Sequence, residues 1–278
     1  EISACLVGSE MCIRDRLARG LARWRVRRAE VRSLQRNLGV MDQLVARLST
    51  ARSVVLLSGA GISAESGLPT FRGVNGLWRD RRVEELASPA GFARDPVLVW
   101  SWYNERGAAH RSAQPNDGHR AIAALEACFD DFTVATQNVD SLHVRAGSRN
   151  VLELHGSLRR ARCQGCATTI AIDDGLGLDA IDHDCGGRFR PDIVWFGESL
   201  PPQVWDRAVA AAERAEVMLV VGTSGIVNPA AALCSHYAGR AYVAEVNPEE
   251  TALSAYADAC FREPAAQFLP LLERALLR

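Results

Sequence analysis

Residues 53–61 read Ser-Val-Val-Leu-Leu-Ser-Gly-Ala-Gly, an aliphatic run that leads directly into a glycine-rich turn. A short run without polar interruption is typical of a strand buried on both faces of a parallel sheet. Four more runs of this kind follow, with helical patterns between several of them, and this alternation predicts an α/β fold whose parallel sheet carries helices on both faces. The predicted strands cover residues 53–57, 132–136, 151–154, 217–221 and 242–246.

The predicted strands end at residues that can bind phosphate or take part in chemistry. Ligands of open α/β sheets bind outside the carboxyl ends of the strands, so we expect the five turns to face one site. The turns begin at Ser58, Gln137, His155, Gly222 and Asn247.

Two of these turns are rich in glycine. Gly59 and Gly61 follow the first strand and Gly222 follows the fourth. Glycines let a backbone approach a phosphate closely, and a helix start supplies free N–H groups. The first loop matches neither the G-x-G-x-x-G fingerprint nor the P-loop, so a purely structural tight turn is an equally open interpretation. Two such loops together favour a dinucleotide. Beyond the second loop, Asn228 and Pro229 predict a helix start with a capping side chain.

The composition excludes several classes of protein. With 278 residues, of which 48% are hydrophobic and 23% charged, the chain can bury a large core and is not intrinsically disordered. A formal net charge of −1 argues against a nucleic-acid binder. The apolar runs are far shorter than the roughly 20 residues of a membrane-spanning helix. We therefore expect neither a nucleic-acid nor a membrane partner.

Three of the eight cysteines form a pattern: Cys163 and Cys166 make a C-x-x-C pair, and Cys185 follows in the same region. This indicates a metal knuckle plus isolated thiols rather than a secreted disulfide framework, and it favours a reducing, cytoplasmic location. Residues 157–195 contain the knuckle and show neither a strong helical pattern nor a sheet partner of their own. We predict that they form a small inserted domain that a metal holds together.

The first forty residues differ in composition from the rest of the chain. Residues 1–40 contain nine arginines and four acidic residues, whereas residues 41–278 contain 23 arginines and 29 acidic residues. Three interpretations fit: an arginine-rich targeting peptide, a solvated basic arm, or translated upstream sequence that is not native protein. We favour the third, because the segment starts at Glu1 without Met and Met41 begins a predicted short helix over 41–52.

Five motifs, in order along the chain, resemble those of the sirtuins, which are NAD-dependent protein lysine deacylases. The motifs cover residues 59–72, 136–143, 154–156, 194–198 and 222–224. The resemblance implies a Rossmann-like NAD-binding domain formed by residues 41–156 and 196–278, and a small zinc-binding domain formed by residues 157–195. The substrate would enter the cleft between them, and residues 1–40 would be an extension outside the fold.

The resemblance also implies roles for individual residues. His155 would be the general base that deprotonates a ribose hydroxyl of NAD, and Asn138 and Asp140 would be the other catalytic residues, at the nicotinamide end. Without the resemblance, a strand-capping histidine and two loop-forming residues would be the ordinary interpretation. The implied cofactor-binding set is Gly59, Ala60, Gly61, Ile62, Phe71, Arg72, Gln137, Asn138, Asp140, Gly222, Thr223, Ser224, Asn247 and Ala265.

In the implied reaction, the acyl oxygen of an acylated lysine attacks the nicotinamide ribose of NAD. Nicotinamide leaves, and the products are free lysine and O-acyl-ADP-ribose. The partners would be acylated lysine proteins or peptides, bound by a monomer. A run with strand character would pair with the substrate backbone by β-augmentation. This run consists of Val194, Trp195, Phe196, Gly197 and Glu198.

Tyr103 and Arg106 are three residues apart, which places them on one face of a helix. An exposed arginine beside a half-buried aromatic ring is the ordinary interpretation of such a pair. The stretch Tyr-Asn-Glu-Arg, together with Ala87, resembles class III sirtuins, in which the tyrosine and arginine bind the carboxylate of an acidic acyl group. Arginine grips a carboxylate through two charge-assisted hydrogen bonds. We therefore expect desuccinylation and demalonylation to exceed deacetylation.

The sirtuin zinc site normally uses four cysteines in two pairs, whereas this region offers Cys163, Cys166 and Cys185. Zinc also accepts histidine nitrogen and carboxylate oxygen, so a fourth ligand is available nearby. The candidates are Asp179, Asp182, His183 and Asp184, of which Asp182 repeats the two-residue spacing. The alternative is a domain that packing holds together without metal.

Three other functions stay open. An NAD-dependent oxidoreductase fits the parallel sheet, although no acidic residue is clearly placed at a strand end about 20 positions past the glycine loop. A protein that binds NAD or ADP-ribose without turnover is the second. The third lies within the resembled family and comprises plain deacetylation or mono-ADP-ribosyl transfer.

Overall fold

The computed structural model describes residues 39–70, 77–78 and 81–278. Of the predicted extension, residues 1–38 lie outside the described residues, and so do the predicted site residues Phe71 and Arg72. Residues 39–50 form helix α1, two residues earlier at each end than the sequence predicts. The chain divides into two units after Ala46, and the structure described from here on is that of residues 47–278.

The rest of the described chain contains eleven strands, eight further α-helices and two short 3₁₀ helices. The strands are β1 Ser53–Ser58, β2 Leu77–Trp78, β3 Arg81–Arg82, β4 Asp131–Thr136, β5 Val151–Glu153, β6 Gly156–Cys163, β7 Thr169–Ala171, β8 Phe189–Ile193, β9 Val217–Val221, β10 Tyr242–Val246 and β11 Ala259–Phe261. The helices are α2 Val83–Leu86, α3 Pro89–Arg94, α4 Pro96–Ser112, α5 Asp117–Glu126, α6 Leu142–Ala146, α7 Pro202–Arg214, α8 Ala230–Tyr237 and α9 Ala265–Leu276. Within the described residues, none of the helices has both the length and the apolar character needed to cross a bilayer.

A six-stranded sheet in the order β11-β10-β9-β1-β4-β5 forms the larger core, and all its strands run parallel. Val55 and Leu57 of β1 pack into one cluster with α7 and α8. Val54 and Leu56 alternate with them along the strand and point to the opposite face, where both side chains are completely buried. Burial on both faces explains the uninterrupted aliphatic run, and the predicted α/β fold is confirmed. Of the six strands in this sheet, five match the predicted ones and β11, which is three residues long, was not predicted.

A second, antiparallel sheet in the order β7-β6-β8 forms a separate core with α2, α3 and α4. The expectation that residues 157–195 have no sheet of their own is therefore wrong. β6 reads Gly-Ser-Leu-Arg-Arg-Ala-Arg-Cys. Its three arginines interrupt the apolar pattern by which a strand is predicted from sequence. They are partly exposed and form ion pairs with Asp173, Glu153 and Asp192. The predicted domain boundaries at residues 156 and 196 stay a prediction.

Side chains cap the N-termini of three helices. Ser88, Asp95 and Asn116 each accept a backbone N–H from the first turn of α3, α4 and α5. The same prediction for Asn228 is wrong, because Pro229 occupies the cap position of α8 and no side chain bonds to the first turn there. The helix starts one residue later than the dipeptide suggests.

A buried carboxylate ties β10 to the segment that follows it. Glu245 is 1% exposed and accepts hydrogen bonds from Ser254 at 2.6 Å, from Thr251, and from the Arg262 guanidinium at 2.5 Å. Burial alone would raise the pKa of Glu245, but these hydrogen bonds and the charge of Arg262 outweigh it and hold the pKa below its ordinary range. The carboxylate therefore stays ionised.

We expect Glu245→Gln to lower the free energy of unfolding at pH 7 by about 2 kcal/mol, because the carboxylate is a charged acceptor for three donors. Since the folded-state pKa lies below the unfolded value, the contribution is complete above about pH 4.3 and is lost as the pH falls through the folded pKa. Denaturant unfolding at several pH values measures both effects. Glu250→Gln removes an exposed charge nearby and is the control; equal stability of the two variants at pH 7 would contradict the prediction.

Candidate active site

The turns after four neighbouring strands lie side by side at the carboxyl edge of the large sheet. The ladder between β4 and β1 continues past the strand ends, where Gln137 N donates to Ser58 O at 2.9 Å. The ladder between β9 and β10 continues in the same way, with Gly222 N donating to Val246 O at 3.0 Å. The strand order brings together the loops that the sequence places at one site.

The two glycine loops pack directly against each other. Gly61 N donates to Gly222 O at 2.7 Å, and a Cβ on Gly61 would lie 2.7 Å from the Gly222 Cα. A Cβ on Gly59 would lie 2.8 Å from that of Thr223. Both distances are shorter than a Cβ atom keeps from another heavy atom, so this packing requires glycine at positions 59 and 61. Ala60 lies half-buried between the two glycines.

The segment after β1 is a 3₁₀ helix, Ala60–Ser66, rather than an α-helix. Ile62 is fully buried in it, and the Asn116 side chain donates to the Ile62 carbonyl at 2.7 Å. At the end of this helix the Glu65 carboxylate accepts the Ala266 N–H at 2.8 Å. The buried Ala265 at the start of α9 is thus joined to the loop after β1.

Asn138 and Asp140 are both buried against the first glycine loop. The Asn138 amide NH₂ donates to Gly59 O at 3.1 Å and to Ser63 Oγ at 3.3 Å. Asp140 accepts hydrogen bonds from Ser63 Oγ at 2.7 Å and from Leu142 N at 2.9 Å. Burial raises the pKa of Asp140 in spite of these two hydrogen bonds, which act in the opposite direction. Ser63 therefore fixes both predicted catalytic residues.

Gln137 and Asn247 converge on Thr223. The Gln137 side-chain amide donates to Thr223 Oγ1 at 2.9 Å, and the Asn247 amide donates to the Thr223 carbonyl at 3.0 Å. Ser224, the next residue, is half-buried. These hydrogen bonds link the loops after β4, β9 and β10.

His155 follows β5 and is half-buried at the same edge. Its Nδ1 lies 2.9 Å from the Gln137 carbonyl oxygen, which can only accept, so Nδ1 carries the proton. In the neutral ring Nε2 then holds a free lone pair. Burial lowers the pKa of His155, partly opposed by the hydrogen bond to Gln137. The ring is thus held neutral, in one tautomer, with Nε2 able to accept a proton.

The predicted substrate-pairing run, residues 194–198, is not a strand. β8 ends at Ile193, and the following residues form a turn that contains Gly197 in the left-handed region at φ +84°. The run has apolar, strand-like composition, but the Glu198 carboxylate accepts the Trp195 N–H at 2.9 Å and folds the segment back on itself. An extended backbone is excluded by this contact.

The turn nevertheless joins the other predicted substrate residues. Val194 N donates to His155 O at 3.0 Å, and Phe196 N donates to Ala87 O at 3.1 Å. The Phe196 side chain is 56% exposed, whereas Ala87 is buried. The structure therefore places the turn between the histidine and α2.

Arg190 on β8 clamps this turn. Arg190 is 4% exposed, and its Nη1 and Nη2 donate to the two oxygens of the Glu198 carboxylate at 2.6 and 2.9 Å. It also donates to Ile193 O at 2.8 Å and lies 3.3 Å from the centre of the Trp195 ring. A buried charge needs a partner of this kind, and Glu198 neutralises it.

Tyr103 and Arg106 lie on α4, and Tyr103 contacts the turn. Tyr103 is buried, and its hydroxyl accepts the Trp195 indole N–H at 2.8 Å. Arg106 is half-buried, with its guanidinium 5.2 Å from the centre of the Trp102 ring. Burial lowers the pKa of Arg106, and no carboxylate among the described residues pairs with it. Arg106 is therefore a cation without a paired carboxylate in the part of the chain that the structure describes.

The predicted metal knuckle is assembled, and His183 completes it. The ligand atoms of Cys163, Cys166, His183 and Cys185 all lie within 4.8 Å of one another. Two of the distances are 3.5 Å between the Cys163 and Cys185 sulfurs and 3.1 Å between His183 Nδ1 and Cys185 Sγ. Hydrogen bonds with Thr168 lower the pKa of Cys166 to about 6, which favours the thiolate that metals bind.

Three thiolates and one imidazole are a donor set that zinc accepts in tetrahedral geometry. Spacings of this size fit ligands placed about 2.0 to 2.3 Å around one ion. Asp182, which has the two-residue spacing, instead pairs with Arg188 at 3.1 Å. Of the four candidate fourth ligands, the structure brings only His183 to the cysteines. These residues therefore fit a structural zinc ion.

Two residues that matter to the geometry escaped the sequence analysis. Ser63, which holds Asn138 and Asp140, stands just after the glycine loop, and a small polar residue there is the one available signal. Arg190 carries no signal of its own, because it is one of 32 arginines. Only its place in the folded chain reveals the pair with Glu198.

Comparison with known proteins places this geometry in a family. The model of the Sir2 family matches residues 59–229, which include both glycine loops and His155. NAD-dependent protein deacylase 2 of Pyrobaculum aerophilum is 49% identical over 83% of this chain and 94% of its own length. NAD-dependent protein deacylase 1 of Archaeoglobus fulgidus is 46% identical over 84% of this chain and 96% of its own.

Solved structures agree with the sequence relatives. A Sir2 homolog in complex with NAD is similar at a TM-score of 0.80 and 46% identity, covering 85% of this chain and 93% of that one. A mutant Sir2 homologue in complex with 2′-O-acetyl ADP ribose is similar at a TM-score of 0.78 and 44% identity, covering 84% and 96%. With the family model, the relatives and the fold in agreement, the chain belongs to the Sir2, or sirtuin, family.

Proposed function

We propose that this protein is an NAD-dependent protein lysine deacylase that prefers succinyl-lysine and malonyl-lysine to acetyl-lysine. One observation carries the reaction: His155 is fixed on the Gln137 carbonyl through Nδ1, and its Nε2 has no hydrogen-bond partner among the described residues at the carboxyl edge of the sheet. The relatives named as NAD-dependent protein deacylases support the same activity.

The loops after β1, β9 and β10 would hold the cofactor. When bound, NAD supplies an electrophilic ribose carbon with nicotinamide as the leaving group. Gly59 and Gly61 stand at the start of the 3₁₀ helix, where helix N–H groups would meet the cofactor phosphates, and Thr223 and Ser224 lie on the opposing loop. Asn138 is the buried residue that would orient the nicotinamide end.

His155 acts as the general base. A neutral imidazole with a free Nε2 lone pair can take the proton of a ribose hydroxyl, and the Gln137 carbonyl stabilises the ring once it is charged. Because burial lowers the pKa of His155, the base form predominates at neutral pH. Asp140 is held by Ser63 and takes part through position rather than by moving a proton.

The acyl preference rests on Arg106. It is half-buried and has no carboxylate partner among the described residues, so an acidic acyl chain would supply the missing charge. Tyr103 on the same helix face and Ala87 beside Phe196 would complete the pocket. An acetyl group would leave the guanidinium unpaired and only partly solvated.

Zinc would be held by Cys163, Cys166, His183 and Cys185 and would stabilise the small sheet. Acylated lysine proteins or peptides are the proposed substrates. A monomeric state and a cytoplasmic location remain predictions from the sequence alone.

Replacing His155 by alanine should lower the rate of deacylation by about 10² to 10⁴, because a positioned general base contributes about that much. In the unchanged enzyme kcat/KM should fall at acid pH through a pKa below 6.5, where the histidine becomes protonated. Nicotinamide release at a series of pH values measures both. His236→Ala, an exposed histidine on α8, is the control; full activity of the His155→Ala enzyme would refute the mechanism.

Arg106→Met should reduce kcat/KM for succinyl and malonyl peptides by about 100-fold and leave deacetylation within a factor of about three, because hydrogen bonds to a charged group are worth about 1.5 to 3 kcal/mol. Mass spectrometry of an acetyl, succinyl, malonyl and glutaryl peptide panel with NAD gives the ratios. Arg94→Met removes an exposed arginine at the end of α3 and should change none of them. An equal loss on all four peptides would remove the selectivity role.

Purified protein should contain about one zinc ion per chain, and chelation should lower the melting temperature of the protein before it alters the chemistry. His183→Ala should weaken zinc retention, measured by elemental analysis after dialysis. Cys260→Ser changes an exposed thiol outside the cluster and should retain the metal. Absence of zinc from the unaltered protein would overturn the proposed metal site.

A further inference from the structure

The Trp195 side chain reaches across from the turn to the predicted acyl pocket. Its indole N–H donates to the Tyr103 hydroxyl oxygen at 2.8 Å. Trp195 is 2% exposed and Tyr103 is 6% exposed, so water does not compete freely for this hydrogen bond. The contact joins a turn residue to a residue 92 positions away on α4.

This hydrogen bond decides what the Tyr103 hydroxyl can do. Indole is a donor only, so the tyrosine oxygen accepts from it and the hydroxyl hydrogen is left for another group. Among the described residues, nothing accepts that hydrogen. Burial raises the pKa of Tyr103 far above its usual range, so the hydroxyl keeps its proton. Tyr103 is thus a donor without an acceptor.

Arg106 contributes donors of the same kind on the same helix face. A guanidinium has five N–H groups and accepts nothing. The Tyr103 hydroxyl, whose oxygen already accepts from Trp195, and the Arg106 guanidinium therefore both offer hydrogen atoms to a ligand. A carboxylate, which only accepts, is the complementary group.

We propose that Trp195 is a positioning residue for acyl specificity, which commits the Tyr103 hydroxyl to donate to the carboxylate of an acidic acyl chain. The proposal deepens and rests on the function proposed above. It assigns Trp195 a role through its indole N–H, in addition to any contact that its ring makes with the substrate.

The surroundings of Trp195 fix the direction of that N–H. The Arg190 guanidinium lies 3.3 Å from the centre of the indole, and the Phe92 ring packs 5.4 Å from it. The Trp195 backbone N–H is held by Glu198, which also binds Arg190. Contacts to the ring and a hydrogen bond to the backbone therefore hold the Trp195 side chain in one orientation.

A double-mutant cycle tests the proposal. Trp195→Phe keeps an aromatic ring for Arg190 and Phe92 but removes the N–H. We expect it to lower the ratio of kcat/KM for a succinyl peptide to kcat/KM for an acetyl peptide about tenfold, mainly by raising KM for the succinyl peptide, as expected for one lost hydrogen bond. Tyr103→Phe should lower desuccinylation too, and the Trp195→Phe change should have no further effect on selectivity in that background.

Other outcomes of the cycle overturn the proposal. An equal loss of desuccinylation and deacetylation in Trp195→Phe would mean that the residue acts only through packing. A full tenfold effect that persists in the Tyr103→Phe background would mean that it does not act through the hydroxyl. Phe92→Leu, which alters packing on the same indole without touching the N–H, is the matched control and should affect both acyl substrates alike.

A second measurement needs no change at Trp195 and no turnover. In protein with ¹⁵N-labelled indoles, the Trp195 Nε1–H resonance, identified by its displacement in Tyr103→Phe, should move when a succinyl-lysine peptide binds. An acetyl-lysine peptide should leave it nearly in place. A chemical shift that stays the same with both peptides, or changes equally with both, would contradict the proposal even if Trp195→Phe failed to fold.

The two proposals fail in different ways. If the unaltered protein binds succinyl-lysine peptide in calorimetry and moves the indole resonance but releases no nicotinamide from NAD, the proposed enzymatic function fails and the role of Trp195 stands. If the protein desuccinylates and Trp195→Phe retains its full selectivity, the role of Trp195 fails and the enzymatic function stands.

Discussion

The close approach of two glycine loops is the constraint on which the site depends. Gly61 and Gly222 share a hydrogen bond of 2.7 Å, and neither the Gly59 nor the Gly61 position has room for a Cβ. These loops follow β1 and β9, which are neighbours in the sheet, so their contact fixes how close the two loops lie at the carboxyl edge. Any larger residue would separate the loops and displace Thr223, the partner of Gln137 and Asn247.

Polar side chains around this contact are organised in pairs that satisfy each other. Ser63 donates to Asp140 and accepts from Asn138, so one hydroxyl holds two buried residues in fixed positions. The Gln137 backbone carbonyl holds the His155 ring, and its side chain holds Thr223. Buried groups without partners are costly, so each of these bonds stabilises the fold as well as the geometry.

Sequence reasoning identified what depends on local composition. The aliphatic strands, the glycine turns and the C-x-x-C knuckle all have a signature within a few residues, and the structure contains each of them. It failed where long-range contacts decide. β6 is a strand because it pairs with β7 and β8, while its three arginines find acidic partners on other segments. Residues 194–198 form a turn because Glu198 folds back onto Trp195 and Arg190.

The fourth ligand of the metal cluster also depends on contacts in the folded chain that the local sequence does not reveal. Spacing alone gave Asp182 the advantage over His183, because it repeats the two-residue interval of the first pair. In the folded chain Asp182 lies in a bridge with Arg188 and its carboxylate pairs with that guanidinium, which removes it from the cysteines. Backbone pairing in a tight turn therefore decides the ligand set, and it leaves the imidazole beside Cys185.

The contrast between two arginines explains how a pocket can be selective for a negative charge. Arg190 is more deeply buried than Arg106, yet Glu198 occupies both of its nitrogens and cancels its charge. Arg106 has no such partner among the described residues. Under the proposed function, an acidic acyl chain would meet an unpaired guanidinium at Arg106 and not at Arg190, because Glu198 already pairs with Arg190.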